Sequence, residues 1–259
     1  DIMTQSERRI FLIQELLREH PEGDRVALPQ NTDEQQHLLR ALMNVRPAIP
    51  IDPEVLKIQD EYLQDRVREK GVVSTKELPE IQAKIKLWQG DITRLDADAI
   101  VNAANSALLG CFVPNHHCID NAIQTYAGMQ LRAACADIMH KQGHEEATGI
   151  AKITSAFNLP AKYVIHTVGP IISGALTKNH EDLLASCYNN CLQLAEDNKL
   201  SSIAFCCIST GEFGFPPQRA AEIAVSTVQN YLLSHPQAPE VIFNVFKESD
   251  LAIYQQLLN

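Results

Sequence analysis

The 259 residues carry 22 Lys and Arg against 32 Asp and Glu, a formal charge of −10 at pH 7, and 45% of them are apolar. At roughly 150 residues per domain, this length fits one large domain or one domain with an extension, and the apolar share allows a sizeable core. The acid excess excludes the basic footprint of a sequence-blind nucleic-acid binder, no apolar run approaches the ~18 residues of a membrane span, and an anionic ligand must be held mostly by backbone N–H groups and helix ends.

Residues 7–19 set Ile10, Ile13, Leu16 and Leu17 on one face at helical spacing. The first apolar patch, 10–13, is short and runs into Gln14, Glu15 and Arg18, unlike the core of a secretory signal. A second helix is expected from Thr32, with Gln35 three residues on as a capping box. It carries Leu38, Leu39, Leu42 and Met43 and ends before Pro47. Residues 46–51 read as an extended connection. Asp52-Pro53 announces a third helix, an N-cap followed by Pro in the first turn, running toward Lys70-Gly71.

The pattern changes near residues 71–84. Strands are expected at 85–89 and 99–103, a long helix at 117–142, a strand at 162–168 and a helix at 181–198. A buried strand at 202–209, a helix at 217–234, a strand at 240–247 and a helix at 249–258 complete the chain. Strands alternating with helices imply an α/β layer fold with a mixed, largely parallel sheet. Ligands bind such sheets beyond the carboxyl ends of the strands. The seven cysteines are an odd number in a chain that reads as cytoplasmic, which favours thiol packing or metal binding over disulfides.

Three segments that follow strands carry chemistry. The first is Gly90-Asp91-Ile92-Thr93 with Asn102-Ala103-Ala104-Asn105-Ser106, where small and amide residues let a ligand reach the backbone. The same residues also fit a plain polar turn. The second is Ser209-Thr210-Gly211-Glu212-Phe213-Gly214-Phe215-Pro216. Its two glycines allow the N–H groups to turn inward as an anion nest that could hold a diphosphate. It lacks the Lys of a P-loop and the spacing of a dinucleotide fold. The third runs from Gly110-Cys111 to His116-His117-Cys118-Ile119-Asp120-Asn121. Two thiols and an imidazole within eight residues at a helix entrance can converge on one zinc and leave a fourth position open. The helix N-terminus would favour the thiolates. His117 is a rival ligand, and the plainer alternative is cysteines packed as small hydrophobes.

Together these segments, with His166-Thr167-Val168-Gly169-Pro170, resemble the macrodomain, the α/β module that binds ADP-ribose. Gly110-Cys111-Phe112, Pro114, His116 and Cys118-Ile119-Asp120-Asn121 resemble its zinc-containing subfamily, as does the helical N-terminal part. The resemblance implies a three-layer α/β/α macrodomain over 80–259, with a mixed central sheet, after a helical extension over 1–79. It implies a zinc-dependent hydrolase of the ADP-ribosylglycohydrolase type that removes mono-ADP-ribose from protein Asp or Glu side chains. The partner it implies is an ADP-ribosylated protein such as a lipoyl-carrier protein modified by a sirtuin-type transferase, not nucleic acid or membrane. Asp91 and Ile92 would meet the adenine, with Phe246 beside it. Asn105 would contact the distal ribose and join Asp120 in catalysis. Gly110 and the loop of Ser209, Thr210, Gly211, Glu212 and Gly214 would hold the diphosphate, with Phe213 against the distal ribose. Cys111, His116 and Cys118 would ligate zinc. Gln124 stands where relatives usually have His. The competing readings are a reader that binds ADP-ribosylated proteins without cleavage and a deacetylase of O-acetyl-ADP-ribose. Outside these segments, Cys135, Cys187, Cys191, Cys206 and Cys207 read as packing and His166 as a structural strand residue.

Overall fold

The computed structural model describes residues 2–259. Helix α1 (Gln5–Glu19) begins ahead of its apolar stripe, because Thr4 and Glu7 form a complete capping box there. Helix α2 (Thr32–Val45) is capped by Asn31, which accepts from the Glu34 N–H at 2.8 Å, rather than by Thr32. Gln35 turns inward instead and accepts from the buried Arg9 of α1. Helix α3 (Pro53–Lys70) has the expected Asp52 cap and stops at Gly71, whose φ of 87° suits glycine. The three helices bury Leu12, Ile13, Leu16, Leu39, Leu42 and Leu63 in a core of their own.

Strands β1 (Glu80–Gln82), β2 (Ile85–Gln89), β3 (Ala99–Ala104), β4 (Ala151–Ser155), β5 (Tyr163–Val168), β6 (Ser202–Phe205) and β7 (Glu240–Val245) form one sheet. Its order is β1-β2-β7-β6-β3-β5-β4. The inner strands β2, β7, β6, β3 and β5 run parallel, and β1 and β4 close the two edges antiparallel. Ile100 and Val101, Val164 and Ile165, and Val241 and Ile242 are all fully buried. Successive strand residues face opposite sides, so both faces of the sheet are covered. The cover is α4 (Ile119–Ala127), α5 (Met129–Gln142), α6 (Lys178–Asp197), α7 (Pro217–Ser234) and α8 (Glu248–Leu258). This is the three-layer α/β/α arrangement with a helical N-terminal part. Among the described residues, no helix is long and apolar enough to cross a membrane.

The long helix expected at 117–142 is two helices. Gly128 breaks it at φ 107°, and a side chain there would collide with Gln130, Gln59 and Asn158. Gln59 of α3 accepts from the Met129 N–H at 2.8 Å, so the break is also where the N-terminal helices dock. Strands β6 and β7 end at Phe205 and Val245, earlier than expected. Cys206, Cys207 and Phe246 therefore lie past the strand ends, at the carboxyl edge of the sheet. The edge strands β1 and β4 were not anticipated; β4 is mostly half-buried and lacks the apolar run of the inner strands.

Candidate active site

The carboxyl edge gathers the three segments. At one end, β2 pairs with β7 so that Gln89 faces Val245, and Gly90 N–H donates to the Val245 carbonyl at 2.9 Å. This sets Asp91 near Phe246, a residue 74% exposed. Asp91 accepts from the Thr93 N–H at 2.9 Å and its hydroxyl at 2.6 Å, and pairs with Lys70 of α3 at 2.7 Å. Burial works to raise the Asp91 carboxyl, but the hydrogen bonds from Lys70 and Thr93 outweigh it and hold the group below its ordinary value. The Ile92 side chain lies in the core, so only its backbone can face a ligand.

In the middle, the loop 209–214 turns on Ser209 at φ 68° and Gly214 at φ 76°. The expectation that both glycines would supply the turn is corrected: Gly211 does not take the left-handed conformation, and Ser209 does. Phe215 N–H donates to the Ser209 carbonyl and closes the loop at 2.9 Å. Among the described residues, the N–H groups of Gly211, Glu212 and Phe213 donate to no protein acceptor. Three such amides in a row can hold an anion without cations. Phe213 is half-buried.

At the other end, Asn105 donates to the Gly110 carbonyl at 3.1 Å, and its buried Oδ1 has no partner among the described residues. Gly110 sits at φ 87°, where a Cβ would come within 2.8 Å of Gln124. Cys118 is the N-cap of α4, and its Sγ accepts from the Asn121 N–H. The donor atoms of Cys111, His116 and Cys118 all lie within 4.8 Å of one another. His116 Nδ1 accepts from the Cys118 N–H at 3.3 Å, which leaves Nε2 as the outward nitrogen, 2.8 Å from Glu212. Burial, with Cys111 and Asp120 nearby, pushes the Cys118 thiol up to about 12, so the helix terminus does not give a free thiolate. His117 turns away onto a separate cleft.

Asp120, in the first turn of α4, is buried. Its Oδ1 accepts from Asn102 Nδ2 at 2.9 Å, and among the described residues its Oδ2 has no partner. Burial raises the carboxyl to about 6, against the Asn102 hydrogen bond and the Arg132 charge. Asn102 Nδ2 also lies 3.1 Å from His166 Nδ1, and His166 Nε2 lies 3.0 Å from Thr154. His166 is therefore the floor of the Asp120 network as well as a strand residue.

Sequence reasoning missed the groups that brace this end. Arg132 of α5, itself buried, donates to the carbonyls of Leu109 and Cys111 on one side and of Asn44 and Arg46 on the other. The Asn115 N–H donates to Asn44 Oδ1 at 2.9 Å, and Arg40 reaches Asn121. The cysteine loop thus hangs from α2. No local spacing signals these contacts. The other cysteines Cys135, Cys187, Cys191 and Cys206 lie in the sheet core.

The macro domain family profile matches residues 101–224. A protein-ADP-ribose hydrolase of Treponema medium is 56% identical over 99% of this chain and 100% of its own length. A probable bifunctional ADP-ribose hydrolase/ADP-ribosyltransferase of Fusarium oxysporum f. sp. cubense is 41% identical, over 85% of this chain and 40% of its own. The Trypanosoma brucei macrodomain in complex with ADP-ribose is 29% identical and superposes with a TM-score of 0.67, covering 89% of this chain and 97% of that one. A full-length relative of this identity, with its fold shared by a solved macrodomain, shows that the chain belongs to the macrodomain family.

Proposed function

We propose that this chain is a protein-ADP-ribose hydrolase that frees mono-ADP-ribose from Asp or Glu side chains, with residues 1–79 as its helical extension and 80–259 as the macrodomain. The observation that carries the reading is the unpartnered Oδ2 of buried Asp120, two residues from Cys118 and across the edge from three unengaged loop amides. A pure reader needs the amides but not the carboxylate. The name of the Treponema relative supports hydrolysis.

In this reading Asp91, the Ile92 backbone and Phe246 take the adenine. The amides of Gly211, Glu212 and Phe213, with Ser209, Thr210, Gly214 and the Gly110 turn, take the diphosphate. These contacts position the distal ribose against Asn105 and Phe213. Two thiols and an imidazole with converging donor atoms are a donor set that suits zinc. Cys111, His116 and Cys118 would hold the ion, and zinc bound there supplies a Lewis acid beside the ribose. Asp120 orients a water and takes its proton as the ester bond breaks, releasing ADP-ribose and the free carboxyl side chain. Asn102 holds Asp120 in place. The Fusarium relative's name joins hydrolase and transferase. This supports a substrate made by a dedicated ADP-ribosyltransferase; the sirtuin type and the lipoyl-carrier target rest on the family resemblance alone.

The test is release of ADP-ribose from an Asp/Glu-modified protein, with and without a strong chelator, alongside metal analysis. About one zinc per chain and chelator-sensitive release is the expected result. Tight ADP-ribose binding with no release under either condition would overturn hydrolysis in favour of a reader.

A further inference from the structure

His116 and His117 are consecutive, yet they serve opposite sides of one ridge. His116 faces the 209–214 loop through Glu212. His117 lines a cleft of about 310 Å³ between α2, α3 and α4. The cleft walls include His37 and Arg40 from α2, Tyr62 and Arg66 from α3, and Tyr126 from α4. Its lining brings two guanidinium groups, Arg40 and Arg66, beside Asp33, with Glu69 paired to Arg66 at the rim. Its polar groups are mostly unspent. Among the described residues, the imidazoles of His37 and His117 and the hydroxyls of Tyr62 and Tyr126 take part in no hydrogen bond. Arg40 commits Nε and Nη2 to Asn121 and the His116 carbonyl and leaves Nη1 over. Arg66 pairs only with Glu69, whose side chain is 50% exposed, a contact that a bound carboxylate can replace at little cost.

We propose that this cleft docks an acidic stretch of the modified protein, the segment flanking its ADP-ribosylated side chain. The inference rests on the hydrolase reading for the identity of the partner. The guanidinium groups of Arg40 and Arg66 supply the charge complementarity, the bound carboxylate taking the place of Glu69 at Arg66. The shared ridge supplies continuity with the site, since the consecutive residues His116 and His117 face its two sides. The N-terminal helices then read the protein while the sheet edge reads the nucleotide.

The test uses the full chain and two labelled, unmodified peptides that share one Glu as the acceptor, one with Asp and Glu around it and one with Lys in their places. Anisotropy is read at low and at physiological salt, and the same two sequences carrying ADP-ribose are used for turnover. The acidic peptide is expected to bind, to weaken with salt, and to lose about fivefold to tenfold in affinity in Arg66→Gln or His37→Ala. Free ADP-ribose affinity is expected to stay unchanged in both variants, and kcat/KM is expected to fall only for the acidic substrate. Equal binding of the two peptides, binding of neither, or insensitivity to both variants would overturn the docking site. Arg66-dependent binding without ADP-ribose release from any substrate would overturn the hydrolase reading and leave the cleft as an acidic-segment site.

Discussion

The side-chain oxygen of Asn44, in the last turn of α2, lies 2.9 Å from the Asn115 N–H, in the middle of the cysteine loop. Asn44 is buried, and its amide group donates to Thr125 at 3.0 Å. One side chain therefore fixes the loop that carries the three soft donors to the helix that follows them.

Asn44→Ala leaves the Asn115 N–H unpaired and takes one donor from the Thr125 hydroxyl, which keeps its bond to the Asn121 carbonyl, at a cost of about 1–3 kcal/mol in stability. It is also expected to weaken zinc binding by about tenfold, the usual effect of losing an outer support. Chelator competition measures the second effect and denaturant titration the first. Asn44→Asp keeps the acceptor for Asn115 and is expected to recover most of the zinc affinity. If both variants bind zinc as the parent does, Arg132 and Arg40 hold the loop without Asn44.

Asp120→Asn separates binding from turnover. Asn keeps an oxygen for the Asn102 amide, so the fold and ADP-ribose affinity are expected to persist. Loss of the proton acceptor is expected to reduce release about 10²–10⁴-fold. Calorimetry of ADP-ribose binding beside a single-turnover assay reads both. Unchanged release would remove Asp120 from the chemistry.

Asp91 and Lys70 join the N-terminal helices to the end of the sheet edge proposed for the adenine. Asp91→Ala removes a charged acceptor and is expected to weaken ADP-ribose binding by about 1.5–3 kcal/mol, the range for hydrogen bonds to charged groups. Lys70 also sits 3.4 Å over the Tyr126 ring, so Lys70→Met keeps the packing and loses the charge. It is expected to weaken ADP-ribose less than Asp91→Ala does, with kcat unchanged. A Lys70→Met effect on kcat rather than on binding would contradict its placement.

The groups that would touch the ligand were legible because each lies in a short run after a strand. Asp91, Asn105, the cysteine loop and the 209–214 loop all sit where a parallel sheet presents its carboxyl edge. The braces were not legible. Arg132, Asn44 and Lys70 come from elements far away in sequence, and their residue types are ordinary for a helix; His166 was legible as a strand residue but not as a partner of Asn102. The break at Gly128 escaped notice because the apolar positions of α4 and α5, Ile123 and Leu131 among them, run on in sequence as if one helix carried them. The edge strand β4 escaped because an edge is half-wet and its side chains carry no apolar run. The Asn31 cap was misplaced by one residue because Asn and Thr both suit the position and only the geometry chooses.

Asp120 and His166 meet through Asn102 and titrate in opposite directions. Burial lowers His166 to about 4 from 6.5 and raises Asp120 to about 6 from 3.8. His166 contributes stability that is present above pH 6.5 and is lost as the pH falls through 4. Asp120 contributes stability that is present below pH 3.8 and is lost as the pH rises through 6. Between pH 4 and 6 each changes stability by about 1.4 kcal/mol per pH unit, with opposite sign, so the two nearly cancel. In Asp120→Asn only His166 remains. That variant, freed of metal, is expected to lose about 3 kcal/mol between pH 6.5 and 4 relative to Asp120→Asn/His166→Gln. Denaturant midpoints across that range measure the difference. Parallel pH curves for the two variants would show that His166 is protonated as readily in the folded chain as in the unfolded one, and that it is not the dry floor of the site.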